Sequence, residues 1–110
     1  MSTIFIVTDP EGYEIVLDSD AWTHIVRGHP DMSPRQDAIK SALERPEIIT
    51  ERASLARYYY TRCSDPTFPD HHFLVVVTRT KSKPFRVATA HVCSDIEGDK
   101  ITWTQIAGNR

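Results

Sequence analysis

The sequence predicts an α+β domain, with an N-terminal hairpin and two helices packed on a four- to five-stranded antiparallel sheet. Three observations carry this. Helix start and stop signals bracket only two segments, both ending by Pro46. Beyond it, runs rich in Val, Ile, Thr and Tyr alternate with breaks that hold Pro, Gly, Asp or Ser. The breaks are short, and a parallel crossover needs a dozen residues or more, so successive strands are expected to pair antiparallel. At 110 residues the chain has room for one domain, residues 1–110, and too little for two.

"TIFIVT" (3–8), the turn "DPEGY" and "EIVL" (14–17) read as the hairpin. "LDSDAW" opens the first helix, where Asp18 or Ser19 can cap free N–H groups. Trp22, Ile25 and Val26 give it a narrow apolar stripe. Gly28 is placed as a left-handed stop, and Pro30 forbids continuation. In "SPRQDAIKSALERP" Ser33 is the expected cap, Pro34 the first helical residue and Gln36 the closing member of a capping box. Ala38, Ile39, Ala42 and Leu43 form that helix's buried face. Strands are expected at 47–52, 56–62, 71–79, 85–92 and 100–105.

Hydrophobic content of 40% and charged content of 25% are ordinary globular values and leave no case for disorder. No apolar run approaches the ~20 residues of a membrane span, and the first residues lack the basic start of a signal peptide. A cytoplasmic location without membrane contact is therefore expected. Cys63 and Cys93 belong to no CxxC pattern and read as reduced, half-buried thiols. Net charge is −2, but it is unevenly spread. Residues 1–51 carry four Lys/Arg against ten Asp/Glu, whereas 52–91 carry seven against two. The basic half suits a polyanion, or it is the usual charge decoration of exposed strands.

"HIVRGHPDM" (24–32) concentrates the chemistry, with His24, Arg27 and His29 around a helix end. Strand alternation adds polar side chains. Phe85, Val87, Thr89, His91 and Cys93 are expected on one face, and Arg57, Tyr59 and Thr61 separate from Tyr58, Tyr60 and Arg62. A metal site would draw on His24, His29, His71, His72, His91 and the thiols, but no HExxH or CxxC spacing exists, and His71 and His72 point apart. No metal or other cofactor is expected. Metal-free cleavage of an RNA phosphodiester fits better. Histidine titrates near working pH, arginine matches phosphate oxygens, and Tyr or Thr hydroxyls can donate to developing charge.

The order "WTHIVRGHPDM", "RPEIITE", "ARYYYTR", "HHFLVVVTR", "FRVATAHV" resembles the phage-associated nuclease-like domains of the barnase–EndoU–colicin–RelE group, over roughly residues 13–93. That resemblance implies two helices followed by a four-stranded sheet. It also implies metal-independent endoribonuclease activity in a toxin setting, with RNA as substrate and an antitoxin or immunity protein as a possible partner. Carried over, His24 is the catalytic match, Thr89 holds the closing-strand threonine position, and Arg57 and Tyr59 fall on the aromatic strand. His91 stands where the pattern tends to place an aromatic, and joins the catalytic set. His29, Arg27, Arg62 and Arg86 are the expected substrate-binding residues. The alternative is a non-catalytic RNA- or protein-binding module of the same fold.

Overall fold

Seven strands and two helices form in a computed structural model that describes residues 2–52, 56–62, 71–78, 84–94 and 100–105. In chain order they are β1 (Thr3–Thr8), β2 (Glu14–Asp18), α1 (Ser19–Gly28), α2 (Gln36–Glu44), β3 (Ile48–Arg52), β4 (Ala56–Arg62), β5 (His72–Thr78), β6 (Phe85–Cys93) and β7 (Lys100–Thr104). The α+β class is as expected, but the sheet is larger and mixed, in the order β1-β2-β6-β5-β4-β3-β7. Its centre, β3 to β6, is an antiparallel meander in which each strand pairs with the next. The hairpin adds to one edge through a parallel β2–β6 pairing, and β7 adds to the other edge by pairing with β3. Loop lengths could not reveal the parallel pair, because its crossover comprises both helices and three strands.

β2 is bonded to β6 only at Ile15–Phe85 and Val16–Arg86. Beyond that point β2 runs into α1, which packs on β6. Asp18 makes the junction, accepting from the Ala21 N–H at 2.9 Å as the N-cap of α1. Gly28 does not adopt a left-handed conformation; among the described residues the glycine at positive φ is Gly12, in the β1–β2 turn. α1 stops instead because Pro30 disfavours helical angles at His29, whose backbone N–H still reaches Ile25 O at 2.7 Å. Pro30–Met32 then forms a 3₁₀ turn that runs through Ser33. Ser33 therefore closes that turn and does not cap α2, which begins at Gln36 with Arg35 as an N-cap lacking a side-chain bond.

The core lies between the helices and one face of the sheet. Ile25, Met32, Ile39, Ala42 and Leu43 meet Ile15, Ile49, Tyr59, Val75, Val77 and Val87 there. α2 touches β5, β4 and also β1. Three strands separate β1 from β4 in the sheet, yet the β1–β2 turn reaches Arg57 on β4, so the sheet curls around α2. A register shift opposite Val76 and Val77 leaves Ala88 as an extra residue in β6. Phe85, Val87 and Ala90 are buried in the core, while Thr89 and His91 leave the core face. The bulge thus splits the face expected to run unbroken from Phe85 to Cys93. Cys93 is half-buried at the end of β6, and Cys63 lies outside the described residues, as do Arg79 and residue 55. Among the described residues no helix is long and apolar enough to cross a membrane.

Candidate functional site

The four expected catalytic residues on strands fall on opposite sides of the sheet. Arg57 pairs across β5 with Val77, and Tyr59 with Val75, so both face the core side. Thr89 pairs with Val76 and His91 with Leu74, so both belong to the other side. No single pocket among the described residues gathers all five catalytic candidates.

Arg57 sits in a closed polar cluster. Its side chain is 3% exposed, and the guanidinium donates through Nε to Tyr59 Oη at 3.0 Å and through Nη1 to Glu51 Oε2 at 3.2 Å. Nη2 meets Asp9 Oδ2 at 3.5 Å and makes a close ion pair with Glu11. Tyr59 donates to the same Asp9 oxygen at 2.5 Å, within the range of charge-assisted O–H···O⁻ bonds. The turn sequence creates this arrangement. Asp9 Oδ1 accepts from the Glu11 and Tyr13 N–H groups, both at 2.9 Å, which tightens the turn and aims its second oxygen at β4. The Tyr13 ring covers the guanidinium at 5.0 Å. Burial works against the charge on Arg57, but bonds to Tyr59 and Glu11 outweigh it and bind the proton more tightly than usual. Burial, with the bond to Asp9, pushes the Tyr59 phenol well up, so it stays a neutral donor. One guanidinium thus serves three carboxylates and a phenol, and has no free edge for a phosphate.

The second group lies at the rim of the sheet, where β6 runs on past its two-residue pairing with β2 and the His29 end of α1 comes alongside it. The His29 and His91 rings stack with centroids 5.0 Å apart and planes 25° apart. The His29 backbone closes α1, and its ring has no hydrogen-bond partner among the described residues. His91 Nδ1 lies 3.2 Å from Val92 O. A carbonyl only accepts, so Nδ1 carries the proton, and in the neutral ring Nε2 keeps the lone pair. Thr89 is half-buried, two residues earlier on the same side of β6.

The remaining expected residues are dispersed. His24 is exposed on the outer face of α1, and Arg27 is exposed one turn later. Arg62 is exposed at the end of β4, where its backbone N–H donates to Glu47 Oε1 at 3.0 Å. Arg86 donates to Asp18 Oδ2 at 3.2 Å, with its side chain 49% exposed. Among the described residues no three His, Cys, Asp or Glu side chains converge on a position for a metal ion.

Sequence reasoning missed Asp9, Glu11 and Glu51. The uneven charge was the available signal, because acids of the first half neutralise Arg57 and Arg86 of the second. Compared with protein-family models, curated proteins and solved structures, the chain matches none at a significant level.

Proposed function

We propose that this domain is a metal-independent endoribonuclease of the toxin type, with the His29–His91 pair as its proton-transfer centre. The stacked pair carries the reading. Cleavage by 2′-hydroxyl attack needs one group that takes a proton and another that gives one. The stack brings two imidazoles to one place, where their ring edges can face the same phosphate. His91 Nε2 accepts the proton of the 2′-hydroxyl as its oxygen attacks phosphorus. The bond to the 5′-oxygen breaks, and that oxygen takes a proton from His29, leaving a 2′,3′-cyclic phosphate and a free 5′-hydroxyl. Thr89 donates to the phosphoryl oxygens from its neighbouring position on β6, and Arg27, in the last turn of α1, supplies positive charge. Arg57 and Tyr59 shape the fold and have no direct part in this scheme. The family resemblance supports the reaction class, and His24 is retained as a contributor to substrate placement.

A binding module that holds RNA without cutting it is the second reading. It is favoured by the engagement of Arg57 with three carboxylates, which removes the cation expected to clamp the phosphate. A cleavage assay on cellular RNA with EDTA present separates the two. The wild-type chain is expected to cut and to leave cyclic phosphate ends, with His91→Ala and His29→Ala each slower by about 10²-fold or more. Cleavage abolished by EDTA, or as fast in both variants as in the wild-type chain, would sink the mechanism. RNA binding with no cleavage would select the binding module.

A further inference from the structure

We infer that the groove between α1 and the 3₁₀ turn is a nucleobase subsite that positions an RNA strand beside His29. Trp22, Thr23, Val26, Arg27 and Ser33 line it, and it is an open groove of about 340 Å³. That volume lies in the lower part of the roughly 300–1,000 Å³ span of small-molecule pockets, enough for one flat ring system. Its chemistry is selective. Trp22 and Val26 give an apolar wall with an indole on which a base can stack. The Ser33 hydroxyl can meet a base edge, and Thr23, which donates its hydroxyl proton to Ser19 O at 2.9 Å, can still accept there.

Charge points the same way. Although residues 1–51 hold ten Asp/Glu, no carboxylate is among the described lining residues, while Arg27 is exposed and has no ion-pair partner among them. An anionic, aromatic ligand is what this lining admits. Position ties the groove to the histidine pair. His29 is the single residue between α1 and the 3₁₀ turn, so the two walls meet at its backbone. A base against Trp22 would place its phosphate near Arg27, on the path to the His29–His91 stack.

The inference rests on the RNA reading of those histidines, but it can fail separately. The test is a fluorescence titration of the full chain carrying Trp103→Phe, which leaves Trp22 as the one indole. The probe is a short 2′-O-methyl RNA oligomer, which lacks the attacking hydroxyl and cannot be cut. Saturable quenching of Trp22 emission is expected. Arg27→Ala should weaken binding and lower the slope of log affinity against log salt by about 0.7. Trp22→Leu, followed by anisotropy of labelled RNA, should weaken it about fivefold or more. Because Trp22 also packs against the core, the exposed Arg27→Ala variant decides the matter if Trp22→Leu misfolds. RNA that binds without quenching Trp22, a salt slope unchanged in Arg27→Ala, or no binding at all would overturn the subsite. A 5′-mononucleotide that binds as tightly as the oligomer would make the groove a free-nucleotide site, and would also overturn it. Quenching without cleavage leaves the subsite standing and removes the catalytic scheme. Cleavage that depends on His91 without quenching does the reverse.

Discussion

The corner around Arg57 and the corner around His91 are made of similar material, polar side chains brought in by strands and loops distant in sequence. They differ in how fully their hydrogen-bonding capacity is used. The Arg57 guanidinium is engaged by Tyr59, Asp9, Glu11 and Glu51 and is almost without solvent contact. Among the described residues the His91 ring has one backbone bond and one stacked neighbour, and its other nitrogen has no partner. A buried charge must be paired to be tolerated, so the first corner is committed to holding the fold. A half-buried ring with an open nitrogen costs little and remains available to a ligand. Residue type made both groups candidates; the count of partners separates them.

The largest expected effect is at Arg57. Arg57→Ala leaves a buried Asp9 and two neighbouring acids without their cation, and should cost about 3–5 kcal/mol in denaturant unfolding. Arg57→Lys should recover little of this, because an ammonium cannot reproduce the guanidinium fork. An Arg57→Ala chain as stable as wild type but unable to handle RNA would erase the contrast between the corners and return Arg57 to the site.

Tyr59→Phe comes next. It removes the donor to Asp9 and the acceptor for Arg57 Nε, at an expected cost of about 1–3 kcal/mol. The pH dependence sharpens the point. Burial holds the folded Tyr59 phenol above its unfolded value of about 10. Its contribution is therefore complete below pH ~10 and is lost as pH rises further, since the unfolded chain releases that proton first. Wild type should lose stability above pH ~10 more steeply than Tyr59→Phe, with phenolate absorbance near ~295 nm rising as the chain unfolds. Equal slopes for the two chains would show that Tyr59 is not held in this way.

Arg86→Ala should have the smallest effect. The pair with Asp18 is half-exposed, and Asp18 keeps its cap on α1 without it, so a loss below about 1 kcal/mol is expected. Thermal melts at low and high salt should show even that difference shrinking as the pair is screened. A large loss that persists at high salt would place Arg86 in the same structural class as Arg57.

Much of the fold was legible. β1 and β4 fall where their β-branched and aromatic runs do, at 3–8 and 56–62, because those residues suit a pleated, half-buried surface. The cap at Asp18 was legible for an equally local reason. The bulge at Ala88 was not, because no Gly or Pro marks it; packing of Phe85, Val87 and Ala90 into one core forces the phase change. The candidate site was legible as a list of residues and not as a constellation. His29 and His91 are far apart in sequence, and so are Arg57 and Asp9, so no spacing rule could join one pair or the other.

The sequence by itself determined which segments are helix and strand, the α+β class, and the presence of imidazole, guanidinium and hydroxyl groups. All of these follow from local propensity, capping and alternation. Only the tertiary structure decided that the sheet curls until the β1–β2 turn meets β4, that β2 joins β6 in parallel, and that Arg57 is enclosed by acids while His91 stacks on His29. Those outcomes depend on burying one continuous apolar face and pairing each charge buried with it. Both conditions bind residues that are distant along the chain.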